Sequence, residues 1–134
     1  MNLEQYRLGN ILESGGSLCE VVGINRNSLS INSLETPGVK LKKSSPLALG
    51  CKILLDLGFS KSDHKWGSEY YLVRNQNEVY FSIEKWTDED PNSIWNNYWF
   101  VKQTIKPFHL KYVHQLQNIY FALTGEELIL KTQA

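Results

Sequence analysis

Residues 108–130 (FHLKYVHQLQNIYFALTGEELIL) contain the pattern that most constrains the fold. Six apolar residues recur at the spacing of one helical face, namely Tyr112, Val113, Leu116, Ile119, Tyr120 and Leu123. Pro107 precedes this pattern and Gly125 follows it, and these residue types favour helix starts and helix ends respectively. A helix with an aromatic stripe needs a sheet or a partner to cover it. The sequence therefore predicts a C-terminal amphipathic helix packed on another layer.

The length and composition are those of one ordinary globular domain. The chain has 134 residues, of which 42% are hydrophobic and 21% charged. A chain of this length can bury a core without disulfides or metals. We expect a single domain over residues 1–134, with a β-rich subdomain at 1–43 and a helix–hairpin–strand–helix portion at 44–134.

Charge and cysteine usage bear on partners and location. The formal net charge is zero, whereas nucleic-acid-binding proteins usually carry a basic excess, because neutralising phosphates supplies much of their affinity. The N-terminus lacks the pattern of a secretory signal, and no segment approaches the roughly 18 apolar residues of a membrane helix. Cys19 and Cys51 belong to no CxxC pair and are expected to be reduced core residues. These features predict a cytoplasmic protein without membrane contact.

The N-terminal third has the pattern of a small β-meander. We expect strands at residues 8–12, 18–24 and 29–31, with turns at 14–17 and 25–27, and a barrel-like SH3-sized unit. After a break at 36–38 come three lysines, Lys40, Lys42 and Lys43. We interpret them as an exposed edge strand or linker in preference to a phosphate-binding patch, because three lysines are few.

The sequence in the middle of the chain predicts a helix, and residues typical of helix starts and helix ends occur at its two ends. Residues 44–59 place Ser45 at the N-cap and Pro46 at the first helical position, with Gly58 at the left-handed C′ position. Phe59 is expected to pack back on the last turn. Gly50 then falls inside the helix, where it costs about 1 kcal/mol relative to Ala.

Residues 69–86 predict a β-hairpin. Tyr71 and Val73 are expected on one face, residues 75–77 in the turn, and residues 79–84 alternate clearly between apolar and polar. Residues 61–64 are expected as a polar turn, 87–97 as a loop, and 98–105 as a third strand. The predicted class is α+β: an antiparallel sheet with two packed helices, one mid-chain and one C-terminal.

No catalytic, cofactor or metal site is predicted from the residue spacing. His109 and His114 are five apart and so lie on different helix faces, and with His64 they are expected at the surface or at a helix end. The acidic run at 88–90 lacks the glycine of a calcium loop. Cys51 is expected on the apolar face of its helix, where a thiolate is disfavoured.

Aromatic residues crowd one polar loop and are the one hint of recognition. They are Trp86, Trp95, Tyr98 and Trp99. Tryptophans are usually core residues, and that interpretation is the one we prefer. The functional alternative is an exposed platform, which anchors a protein interface or stacks on sugars or bases. Trp95 and Trp99 are four apart, so they share a face on a strand and are neighbours on a helix.

Three segments carry a family resemblance: residues 7–10 (RLGN), 46–59 with its closing Leu-Gly-Phe, and 111–128 (KYVHQLQNIYFALTGEEL). On these segments the chain resembles a group of small uncharacterised proteins from Bacteroides-type bacteria, their phages and mobile elements. It departs from the group at residues 48–51, which are small and apolar where the group has a more charged helix. The resemblance implies an accessory or phage-related cytoplasmic protein and transfers no catalytic residue.

Three functional hypotheses follow from these patterns. The first and favoured one is a non-enzymatic domain that binds a macromolecule, above all a protein, with self-association if the Tyr112/Tyr120 stripe or the tryptophans are exposed. The second is a nucleic-acid-binding accessory protein that uses Lys40, Lys42 and Lys43. The third is an enzyme with an unrecognised site, which requires a deep pocket holding polar groups of perturbed pKa.

Overall fold

The structure of the chain is a computed structural model that describes residues 3–36, 38–64, 67–75, 78–86, 90–93, 98–102 and 109–131. The chain divides into two compact units. Unit 1 consists of Met1–Ala48 and Tyr112–Leu128, and unit 2 of Leu49–Lys111 and Ile129–Ala134. The described residues form two antiparallel five-stranded sheets and two α-helices, which confirms the predicted α+β class.

The sheet of unit 1 is a meander. Its strands are β1 (Ile11–Ser14), β2 (Ser17–Ile24), β3 (Leu29–Ser33), β4 (Lys40–Leu41) and β5 (Ser45–Pro46), in the order β4-β3-β2-β1-β5. Gly15 and Gly16 have φ values of 57° and 89°, which a tight turn between β1 and β2 requires. Lys40 lies on an edge strand, as expected.

The C-terminal helix α2 (Val113–Thr124) belongs to unit 1 and not, as the sequence suggests, with residues 44–134. It begins after Tyr112, whose N–H donates to the side chain of Gln115 at 3.0 Å. It ends where Gly125, with φ of 75°, donates its N–H to the carbonyl of Phe121 at 2.8 Å. The predicted end of the helix is therefore confirmed.

The buried face of α2 is rotated from the predicted one. Val113, Leu116 and Tyr120 are buried as expected, but Leu123 is 47% exposed. In its place the polar residues His114 and Gln117 are buried. The hydrophobic pattern does not predict this rotation, because the side chain of Gln117 accepts a hydrogen bond from the N–H of Ile11 and donates one to the carbonyl of Gly9.

The predicted helix at 44–59 is shorter than expected. Ser45 and Pro46 pair with Glu13 and Leu12 of β1, so they extend the sheet of unit 1. Helix α1 spans only Cys51–Asp56, and Gly50 is its N-cap instead of an interior residue. The pairing of β5 with β1 overrides the local helix-start signal, because it satisfies backbone hydrogen bonds that a helix at these residues would leave unpaired in β1.

The end of α1 follows the prediction closely. Gly58 has φ of 97°, and its N–H donates to Leu55 while that of Phe59 donates to Leu54, each at 3.0 Å. This is the paired hydrogen-bond pattern of a glycine-terminated helix. Phe59 and Leu54 are both buried in unit 2.

The sheet of unit 2 is built around the predicted hairpin. Its strands are β6 (Ser60–His64), β7 (Gly67–Arg74), β8 (Glu78–Trp86), β9 (Trp99–Val101) and β10 (His109–Leu110), in the order β10-β9-β8-β7-β6. Asn75, in the predicted turn, has a positive φ of 44°. Residues 61–64, expected as a turn, form strand β6 instead, because they pair with β7 along its length. Of the predicted strand at 98–105, residues 103–105 lie outside the described residues.

The two faces of this sheet differ in character. One face is buried and apolar, with Tyr70, Leu72, Phe81, Ile83, Trp99 and Val101. Phe59 packs edge-on against Phe81 with ring centroids 6.2 Å apart. Tyr71 and Val73 do share a face, but it is the opposite one, and Val73 is 44% exposed.

Candidate interaction surface

Trp99 is the member of the predicted aromatic group that the structure places in the core of unit 2. Trp99 is only 4% exposed and packs against Tyr70 at 5.3 Å between ring centroids, so it is a core residue. Tyr98 precedes it on the chain and is half-buried. Trp86 ends β8, opposite Gly67, and Trp95 lies outside the described residues. Trp99 is therefore no part of an exposed platform.

Tyr98 lies in a different aromatic cluster. Phe100 and His109 are directly opposite each other on β9 and β10, and their rings meet edge-to-face at 4.9 Å. The ring of Tyr98 lies 6.1 Å from that of His109. Phe100 is half-buried and His109 exposed. We refer to Tyr98, Phe100 and His109 as the aromatic surface.

Strand geometry explains why these residues come together. Successive side chains on a strand point to opposite faces, so the burial of Trp99 on the inner face directs Phe100 to the outer face. The register then brings His109 beside Phe100. Phe100 was not among the predicted residues, and His109 is exposed, as expected, but lies on a strand. The alternation on either side of Trp99 was the signal that could have found Phe100.

Charged residues adjoin the aromatic surface. Glu84 is opposite Phe100 in the register of β8 and β9, and Glu69 is opposite Glu84 in β7 and β8. The Nζ of Lys102 lies 2.9 Å from a carboxylate oxygen of Glu69, and this hydrogen bond raises the pKa of the Lys102 ammonium. The carboxylates of Glu69 and Glu84 and the ammonium of Lys102 therefore lie on the same part of the sheet. Such a surface suits an apolar or aromatic group that carries a positive charge beside it.

The three predicted lysines do not act as one group. Lys40 is exposed on β4. Lys42 and Lys43 instead line a cleft of about 330 Å³ within unit 1. The rest of this lining consists of Asn27, Ser28, Leu29, Ile31 and Ser44.

His114 is fully buried in unit 1, which corrects the expectation that it lies at the surface or a helix end. Its Nε2 lies 3.0 Å from Oε1 of Gln5. Its ring lies 4.7 Å from that of Tyr6 and stacks on that of Tyr112 at 5.8 Å. Burial lowers the pKa of His114 to about 4, so the neutral ring is a structural component at neutral pH.

The cysteines lie in contrasting environments. Cys19 is buried in the core of unit 1, as expected, and burial raises the pKa of its thiol. Cys51 is exposed at the start of α1, which corrects its expected place on an apolar face, because the buried residues of this helix are Ile53 and Leu54. Over the part of the chain that the structure describes, no group of three or more His, Cys, Asp and Glu residues could hold a metal ion.

Comparison with known proteins found no matching family model, no similar curated protein and no similar solved structure. Neither of the helices in the described residues has the length and apolar composition needed to cross a bilayer.

Proposed function

We propose that this protein is a non-enzymatic binding domain that recognises another protein through the aromatic surface. The observation that supports the proposal is the cluster of Tyr98, Phe100 and His109 on the sheet face opposite the core of unit 2. An accessory role in the cytoplasm, related to a phage or mobile element, belongs to the same proposal. It comes from the family resemblance of residues 111–128.

Aromatic side chains are effective anchors for such an interface. They offer a large contact area at a small cost in side-chain entropy, and a few of them can supply most of the binding energy. Neighbouring carboxylates add specificity, because they favour a partner with a basic group beside its apolar contact. Glu69 and Glu84 would supply that preference here.

A double substitution tests the role of the aromatic surface. Tyr98→Ala/Phe100→Ala removes two of its rings and leaves the buried Trp99 in place. The wild-type chain is used to capture its partners in extracts of its native cells, and the captured proteins are cross-linked to it. We expect the variant not to recover these proteins. Tyr80→Ala is the matched control, because Tyr80 is also half-buried on this sheet but stacks with Arg74 at 3.7 Å. Recovery of the same proteins by both variants and wild type would contradict the proposal.

Self-association is the second form that this function can take. A copy of the chain would then be the partner, and sedimentation would show a concentration-dependent dimer in the wild type. We expect Tyr98→Ala/Phe100→Ala to shift that equilibrium to monomer and Tyr80→Ala to leave it unchanged. If the wild type is a monomer at all concentrations, self-association is ruled out. Capture of a different protein is then the test of the proposal.

A further inference from the structure

Lys42 and Lys43 line the cleft of unit 1 together with polar groups from a second segment. The loop between β2 and β3 contributes Asn27 and Ser28, and Ser44 follows the two lysines on the chain. The cleft thus combines two ammonium groups, two hydroxyls and one amide. These are the side-chain donors that proteins use to bind phosphate oxygens.

Among the described residues, no carboxylate lines this cleft. Neither Lys42 nor Lys43 forms an ion pair within that part of the chain. Glu20 lies between two buried residues of β2, so its side chain is on the opposite face of the sheet. Glu13 accepts a hydrogen bond from the hydroxyl of Ser45 at 3.4 Å and is not part of the lining.

The sequence strengthens this local charge imbalance. No acidic residue occurs between Glu35 and Asp56, and Arg26 is in the loop that supplies Asn27 and Ser28. The lining of the cleft therefore has a positive potential, although the whole chain has no net charge.

One wall of the cleft is apolar. Leu29 is half-buried and Ile31 is buried, and both line the cleft beside the polar groups. The volume of about 330 Å³ lies at the small end of ligand pockets, which run from about 300 to 1,000 Å³. A bare anion would leave the apolar wall uncovered. A small organic molecule with one charged end would use both parts.

We propose that this cleft is a binding site for an organic phosphate of nucleotide size. The phosphate would accept hydrogen bonds from Lys42, Lys43 and the hydroxyls of Ser28 and Ser44. The uncharged part of the ligand would lie against the apolar wall. The phosphate can come from a free nucleotide or from a single-stranded nucleic acid, since both present the same group. This site is independent of the aromatic surface in unit 2.

An NMR titration of the full chain tests the site. The probes are inorganic phosphate, adenosine monophosphate, adenosine and a short oligothymidylate. We expect adenosine monophosphate to shift the amide signals of residues 27–31 and 42–44, and to bind more tightly than inorganic phosphate or adenosine. Lys42→Gln/Lys43→Gln should weaken this binding about tenfold or more, because it removes both charged donors.

Lys40→Gln/Lys52→Gln is the matched control, since it removes the same charge from exposed lysines that do not line the cleft. We expect its affinity for adenosine monophosphate to stay within about twofold of wild type. Equal weakening in both double variants would overturn the site in favour of diffuse charge attraction. So would adenosine binding as tightly as its monophosphate, inorganic phosphate binding as tightly as the nucleotide, or no shift with any probe.

The oligothymidylate identifies the source of the phosphate. Tighter binding with strand length, together with a steep loss of affinity as salt rises, would indicate nucleic acid. Binding of the mononucleotide alone would indicate a free nucleotide. Either result supports the site if the Lys42→Gln/Lys43→Gln variant loses the binding, and retained binding in that variant overturns it.

Discussion

Buried polar side chains orient α2 in unit 1. The amide of Gln117 accepts the N–H of Ile11 at 2.7 Å and donates to the carbonyls of Gly9 and Leu128 at 3.1 and 3.0 Å. Asn118 accepts from the side chain of residue 10 at 2.9 Å. A buried backbone group left without a partner is costly, so these amides specify one orientation of the helix.

Gln117→Leu tests this specification. The substitution keeps the side-chain volume roughly constant but leaves the N–H of Ile11 and two carbonyls without their partner. Each lost partner of a buried group costs about 1–3 kcal/mol, so we expect the free energy of unfolding to fall by about 3 kcal/mol or more. Urea denaturation measures it, with Leu123→Ala, an exposed site on the same helix, as control. A decrease in the free energy of unfolding of less than about 1 kcal/mol would show that the amide network contributes little to stability.

His114 should make the stability of unit 1 depend on pH. Its pKa is about 4 in the folded chain, against 6.5 when solvated. Between these values the unfolded chain binds the proton and the folded chain does not. This contribution is therefore complete above pH 6.5 and is lost as pH falls to about 4, by about 3 kcal/mol.

The comparison of two histidine variants separates the contribution of His114 to the pH dependence of stability from the contribution of the carboxylates. We expect His114→Gln to flatten the stability curve between pH 4 and 6.5 relative to wild type, whatever its absolute stability. His109→Gln, which replaces an exposed histidine, is the control variant. Thermal denaturation at several pH values provides the curves. Parallel curves for wild type and His114→Gln would refute the assignment.

At the scale of the elements, both helix ends could be predicted, whereas the start of α1 could not. A left-handed C′ residue is a local requirement that glycine meets best, so Gly58 and Gly125 marked both ends correctly. The start at Ser45 and Pro46 was wrong because residues distant in sequence, in β1, pair with them. A local signal holds where no distant pairing competes with it.

The two helix-flanking glycines should respond oppositely to substitution. Gly125 has φ of 75°, a conformation that strains any side chain even where the surrounding space is open, so Gly125→Ala should lower stability by about 1 kcal/mol. Gly50 has φ of −164° and no side-chain cap, and nothing within 4 Å would obstruct a Cβ there. Gly50→Ser should therefore raise stability by about 0.5 kcal/mol. Chemical denaturation measures both, and a change of the same sign in the two variants would contradict the cap assignments.

The candidate surface was only partly predictable for a related reason. Alternation along a strand identifies two faces, but it does not say which one is buried. The sequence allowed Trp99 on either face, and the register with β8 places it beside Tyr70 in the core. His109 joins the aromatic surface only through pairing with Phe100, and no local pattern encodes that pairing.

At the scale of the whole molecule, each unit combines segments that are distant in sequence. Unit 1 needs residues 112–128 as well as 1–48, and its helix α2 contacts β1 directly. The sequence motif at 111–128 is thus mostly a description of how unit 1 is closed. Its polar positions, His114, Gln117 and Asn118, all bond to residues 5–11.

Opening of α2 should therefore open the N-terminal sheet with it. Leu116 is fully buried, and Leu116→Ala should cost about 3 kcal/mol through lost packing. Because Gln117 ties the helix to Ile11, we expect hydrogen exchange to accelerate together in residues 11–24 and 113–124. Leu123→Ala, on the exposed side, should leave both segments as in the wild type. Faster exchange in the helix with unchanged exchange in the strands would mean that the sheet of unit 1 is stable without its helix.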